Sequence, residues 1–560
     1  MKLIIKQYLA SLKERSELDA ILPDLLSQLG LIVFSRPGRG TRQDGVDVAA
    51  VGNLDGKGEK VYLLSIKQGD LTRNSWDGEA IQALRPSLNE ILDSYIPNRM
   101  PSEHKNKEIV ICLCFGGDIK EQVRPQVEGY IKKNMQNNIS FEEWNGDKLA
   151  SMILEGFLRE ELLPNNARSQ LRKSLALLDE PVASYKHFST LIFSLTSIQS
   201  TKENDQLMVI RQINICLWIL FVWAREAGNL ESAYLSCELA LLHSWEISKG
   251  YIPKTTKSAE AIQTAFASVL SLYQQITIEY LEKILPHANK LHALSVAVRP
   301  SSDLDVNLKL FDILGRVALG GIWVCWNIAL IGKNYPEMKR LLVICLSSIR
   351  QLIRNNPTLF LPTKDDQAID ISLAVLLLSV SKRNVDYIVE WLSEIADRAE
   401  FAYLTYQQYP CNLQNYSELL ERSQKHEEAF RKEITKGSIL YPMIALWAAL
   451  FGETELYNRI QNFKQSELNH CTFQLWYPDE NSESLFYTNN DAHGSTLANV
   501  CIERSAEDYL EEVFSECRYS EHYEKLSAVE LSFLPIILVA CRHYRIPVPV
   551  HLWRRLGNKN

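Results

Sequence analysis

Arg42-Gln43-Asp44-Gly45-Val46-Asp47-Val48-Ala49-Ala50-Val51-Gly52, a turn Asn53-Leu54-Asp55-Gly56-Lys57-Gly58, and then Val61-Tyr62-Leu63-Leu64-Ser65-Ile66-Lys67-Gln68-Gly69 form the stretch around which the N-terminal part is organised. Both apolar runs are short and rich in β-branched residues, and turn formers separate them. This pattern predicts a strand, a hairpin and a second strand. Side chains alternate along a strand, so Ser65 and Lys67 share one face while Leu64 and Ile66 point into a core. Asp47 is an acid in an otherwise apolar segment. A buried carboxylate and a buried lysine are each costly without a partner or a metal. Two such groups on neighbouring strands predict either a shared site or a plain buried ion pair.

Working outward, residues 2–29 read as helix in two pieces. Ser16-Glu17-Leu18-Asp19 resembles a capping box, and Ile21, Leu22, Leu25, Leu26 and Leu29 recur at helical spacing before Gly30. Residues 31–34 are the next strand. It leads into Ser35-Arg36-Pro37-Gly38-Arg39-Gly40-Thr41-Arg42, a basic glycine-containing loop. Arg36, Arg39 and Arg42 suit phosphate binding, and glycine lets the backbone approach a ligand. A solvated loop is the alternative. Arg73 lies in the polar turn after Lys67. Residues 80–95 form an amphipathic helix that Pro86 kinks or delays. Residues 108–115 are an apolar strand, 118–135 a helix, 139–144 a last strand, and a helix starts at Lys148. Helix, strands with a hairpin, then helix, strand, helix, strand, helix describe a mixed α/β sheet wrapped by helices, ending near Pro164-Asn165-Asn166.

Residues 1–165 resemble the PD-(D/E)xK nuclease superfamily, the restriction-endonuclease-like fold, in its Mrr-related branch. Asp47 matches the first aspartate of that motif and Lys67 its lysine. The middle acid is absent, and Ser65 stands in its place. The resemblance implies a phosphodiesterase using Mg²⁺ or Mn²⁺. Asp47 would be a metal ligand, joined by Glu17 from the first helix, and Lys67 would act on the attacking water. Ser65 would supply only a hydroxyl or a water-mediated contact. Glu17 also reads as a capping or solvated carboxylate. DNA is favoured over RNA, with Arg36, Arg39, Arg42 and Arg73 on the nucleic acid. A nuclease-like scaffold without activity, binding nucleic acid or protein, is the alternative, and Ser65 is the residue that favours it.

A chain of 560 residues with 46% hydrophobic and 23% charged residues implies several globular domains. Its net charge of −8 excludes a generally cationic coat, so any nucleic-acid surface is local. Eleven cysteines with no CxxC pair fit reduced thiols in a cytoplasmic protein. The apolar runs 317–332, 437–452 and 212–224 fall short of a bilayer span and predict buried helices, hence no membrane partner. From Arg168 helical periodicity takes over. Residues 227–241 resemble a tetratricopeptide turn and second helix, with Gly228 in the turn and Ala233 and Ala240 at a helix contact. We therefore divide the chain into 1–165, a large all-α, solenoid-like region over 166–460, and a mostly helical cap over 461–560. The helical region is expected to sense a trigger, hold a protein partner or self-associate, a layout that resembles prokaryotic antiviral defence effectors.

Overall fold

The computed structural model describes residues 2–557 apart from 13, 15–17, 37–43, 79–82, 137, 157–164, 198–201, 299–301, 332–335, 406–408, 426 and 490–496. Its contacts divide the chain into two compact units, Met1–Ile276 and Thr277–Asn560. An N-terminal mixed α/β sheet of five strands is followed by a mostly helical region.

The first unit opens with α1 (Lys2–Ser11) and α2 (Asp19–Gln28), followed by β1 (Ile32–Ser35), β2 (Val48–Gly52) and β3 (Lys60–Lys67). After α3 (Arg73–Asp77) and α4 (Leu84–Glu90), which runs on as a π-helical stretch Ile91–Arg99, come β4 (Glu108–Phe115), α5 (Arg124–Asn134), β5 (Ile139–Trp144) and α6 (Gly146–Gly156). The sheet order is β1-β2-β3-β4-β5. β1, β2 and β3 pair antiparallel, with Val48 opposite Leu64, and β4 and β5 continue parallel to β3.

Helices cover both faces, so the central strands read as continuous apolar runs. Val61 and Leu63 of β3 and Ile109, Ile111, Leu113 and Phe115 of β4 join Leu84, Leu88, Val123 and Val127 in one core. On the other face Tyr62 meets Trp144, and α1 and α2 pack on α6. Ser65 and Lys67 are buried as well. The helix expected over 118–135 starts only at Arg124. Pro125 suits a first turn, and Ile119 is drawn into an isolated bridge with Leu71. α4 takes the late start that Pro86 allows.

α7 (Asn165–Ala176), α8 (Pro181–Thr196), α9 (Glu203–Glu226), α10 (Glu231–Ser248) and α11 (Lys257–Ala288) follow. Gly228 sits in the α9–α10 turn with φ +73°, and Ala233 and Ala240 are fully buried. α9 packs on α1 and α2, and α7 to α10 with the first part of α11 belong to the first compact unit, which therefore runs beyond residue 165.

The second unit continues with α12 (Ala293–Ala297), α13 (Asp303–Ile331), α14 (Pro336–Asn355), α15 (Ala368–Leu378) and α16 (Val385–Thr405), and further helices include Leu440–Phe451, Thr454–Ser466, Ala506–Tyr519 and Leu534–Tyr544. The unit is not all-α. Gly437–Ser438, Thr472–Trp476 and Leu497–Asn499 form a three-stranded sheet, β6-β7-β8. Thr472–Trp476 falls in the aromatic stretch of the expected helical cap, where large aromatic side chains favour a strand. By length and composition α9 and Asp303–Leu330 are long and apolar enough to cross a membrane, because each helix extends past its uncharged run; most of each apolar window is buried inside the protein. All eleven cysteines are free thiols.

Candidate active site

Asp47 stands one residue ahead of β2, at the end of a turn that only a particular backbone can make. Asp44 and Gly45 both have positive φ, +47° and +81°. A Cβ at Gly45 would lie 2.0 Å from the Ser87 carbonyl oxygen of α4, so the turn is pressed directly onto that helix. Asp44, itself buried, is anchored at 2.6 Å by Arg99 at the end of the π-helical stretch. The turn delivers Asp47 alongside β3. Its N–H donates to the Leu64 carbonyl (2.9 Å), and its Oδ2 accepts the Ile66 N–H (2.7 Å). The side chain thus receives a strand N–H that lies past the last paired residue of β2.

Lys67 ends β3 and is 7% exposed. Its Nζ lies 3.2 Å from Glu14 Oε1. Glu14 comes from the connection between α1 and α2. It reaches the strand because α1 ends against the sheet: the Leu9 carbonyl oxygen would be 1.9 Å from a Cβ at Gly116, just past β4. Asp47, Glu14 and Lys67 therefore gather where β3 ends. Ser65 is fully buried, and its Oγ has no hydrogen-bond partner among the described residues.

Burial pushes the Asp47 carboxyl up to about 6. The Ile66 N–H and the Lys67 charge pull it down, while the Glu14 and Asp19 charges push it up again. Desolvation wins, so this carboxyl titrates closer to neutral pH than an ordinary aspartate, near the Lys67 charge. Such perturbed groups concentrate at functional sites.

Of the residues expected at the site, Asp47 and Lys67 come together. Glu17, Arg39 and Arg42 lie outside the described residues. Arg36 lies 3.9 Å from the buried Asp24, whose carboxyl burial pushes up and the Arg211 and Arg36 charges pull down. Arg73 is exposed at the start of α3, behind a Thr72–Ser75 capping box. Glu14 was not singled out in the sequence. Its signal was the charged run Lys13-Glu14-Arg15-Ser16-Glu17, which offers two glutamates. The helix breaks after Ser11, so no continuous helical phase selects between them.

Among the described residues no group of three or more His, Cys, Asp or Glu is placed to hold a metal ion. Asp47 and Glu14 are nonetheless hard oxygen donors of the number Mg²⁺ ordinarily takes from a protein, the rest of its shell being water and substrate. The donor chemistry fits Mg²⁺ or Mn²⁺, with one Glu14 oxygen already on Lys67. No protein-family model, curated protein or solved structure matches this chain.

Proposed function

We propose that the chain is a metal-dependent nuclease with a restriction-endonuclease-like first domain. The observation that carries this reading is the meeting of Asp47, Glu14 and the buried Lys67 at the end of β3. The strand order supports it: three antiparallel strands, a helix, and a strand parallel to the third. Asp47 and Glu14 would hold Mg²⁺ or Mn²⁺, which when bound lends Lewis acidity to a phosphodiester. Lys67, fixed by burial and by Glu14, would orient the attacking water and offset charge developing on the phosphate. Asp47 is the group able to hold a proton near neutral pH. The helical region, read as solenoid-like, would hold a partner or sense the trigger.

The test is cleavage of duplex DNA, single-stranded DNA and RNA with Mg²⁺, with Mn²⁺ and with EDTA. Cleavage should need the metal and disappear in Asp47→Ala and in Lys67→Ala. Metal binding should survive in Lys67→Ala, because an ammonium is no ligand. Ser65, buried without a carboxylate, is what favours the second reading, an inactive nuclease-like scaffold. Failure of the parent protein to cut any of these substrates with either metal would favour that reading, and full activity in both alanine variants would remove the catalytic site from Asp47 and Lys67.

A further inference from the structure

Around α14 the second unit exposes aliphatic side chains beside cations. α14 buries Cys345, Ile349, Leu352 and Ile353 but leaves Val343 63% and Ile344 40% exposed. Leu330, at the end of α13, is 60% exposed and Val380, just past α15, 55%. These four belong to neighbouring elements. A Cβ at Gly321 of α13 would meet both Leu377 of α15 and Cys345 of α14, and the Tyr387 hydroxyl of α16 donates to the Arg350 carbonyl of α14 (3.1 Å). Cations flank the apolar centre. Lys339 and Arg340 are exposed on one side, and Arg350, Arg354, Lys382 and Arg383 on the other. The two groups on α14 are roughly 15–22 Å apart along the helix. Over residues 336–390 the exposed carboxylates are Glu337, Asp386 and Glu390, so these six cations outnumber them two to one. The Arg350 guanidinium is held over the Tyr387 ring at 5.0 Å.

We propose that this α14 face docks onto the surface of an anionic lipid bilayer, with α14 lying in the interfacial plane. An apolar strip rimmed by lysine and arginine is the chemistry such an interface rewards: the aliphatic side chains enter the acyl boundary and the cations meet headgroup phosphates and carboxylates. A nucleic-acid backbone would use the cations but gain little from four exposed aliphatic side chains. A second copy meeting this face about a two-fold axis would set the same cation-rich rim against itself, which like-charge repulsion opposes. Lipid satisfies both halves of the surface.

The experiment is co-sedimentation of the full chain with vesicles of phosphatidylcholine alone and of phosphatidylcholine mixed with phosphatidylserine. Binding is expected only to the mixed vesicles and should weaken at high salt. Val343→Glu/Ile344→Glu and, separately, Lys339→Glu/Arg340→Glu should each lower it about tenfold or more. All four positions are exposed, and unchanged circular dichroism checks that the variants fold. No binding to either vesicle overturns the proposal. So does binding of both variants equal to that of the parent. A concentration-dependent dimer lost in Val343→Glu/Ile344→Glu, or duplex DNA held by the same cations without vesicle binding, would assign the face to those partners instead.

Discussion

Replacing Glu14 with glutamine leaves the Lys67 ammonium, 7% exposed, with Asp47 as the remaining acid near it. Removing one partner of a fully buried ion pair costs about 3–5 kcal/mol. Glu14 is 26% exposed on its side chain, so water screens part of its attraction, and Asp47 retains some compensation. Together these reduce the expected loss for Glu14→Gln to about 1–2 kcal/mol. Lys67→Met removes the cation and leaves Asp47 facing Glu14 and Asp19, for about 2–3 kcal/mol. The double variant should cost less than the sum of the two singles, by about 1–2 kcal/mol of coupling. Native-state hydrogen exchange at the β3 amides reports opening of this unit, so the second unit does not confound the measurement. Effects that add to within about 0.5 kcal/mol would show that Glu14 and Lys67 do not interact, and the site as drawn would fall.

Asp47→Asn keeps an acceptor for the Ile66 N–H while removing the charge. The folded carboxyl titrates near 6, above its ordinary value, so the folded state binds the proton more tightly and stability falls as pH rises from about 4 to about 6; the variant should lose that slope in pH-dependent unfolding of the first unit and lose Mg²⁺ stabilisation at neutral pH, and an unchanged slope would refute the assignment. Gly45→Ala should destabilise the first unit by about 2–4 kcal/mol, because a left-handed alanine is strained and its Cβ meets the Ser87 carbonyl; a neutral effect in urea unfolding would mean that the turn does not press on α4. Ser65→Glu, which supplies the acid that the resemblance to PD-(D/E)xK nucleases would place there, should lower thermal stability rather than raise activity, since it buries a further carboxylate beside Asp47; a stable variant with faster cleavage would contradict the packing.

β4 was legible because Ile109–Phe115 is an unbroken apolar run closed by Gly116-Gly117, and β5 because apolar and aromatic residues, Ile139, Phe141 and Trp144, recur in a short stretch closed by Asn145-Gly146. α4 was legible because proline tolerates only the first turn of a helix. Asp47 and Lys67 were legible as charges inside apolar strands. Glu14 was not, because it lies in a helix break where sequence spacing carries no direction. Which helices bury the Ser65 face was also hidden. Alternation assigns side chains to faces, but whether a second helix layer covers the polar face is decided by α4 and α5, tens of residues away. β6, β7 and β8 were missed for a related reason: β6 is two residues long, and its pairing with Thr472 and Phe473 is purely tertiary.

The charges at the end of β3 are a poor device for stability alone. An apolar pair of similar volume often matches or exceeds a buried ion pair, by about 1–4 kcal/mol. Here the comparison is still less favourable to the charges, because desolvation raises the Asp47 carboxyl to about 6 and its partners do not fully offset it. Asp47→Val/Lys67→Met removes both charges but leaves the Ile66 N–H without its acceptor and Glu14 without its cation, so it should cost less than the sum of the two single changes, and this can be read without knowing the substrate. The outcome then bears on function. A scaffold would tolerate the double substitution with its binding intact. An enzyme would keep its fold and lose all metal-dependent cleavage, because the strain at Asp47 and Lys67 is chemistry held ready by the sheet. A double variant less stable than both single variants would show that the charges serve the fold, and the case for an active site at the end of β3 would then rest on Glu14 alone.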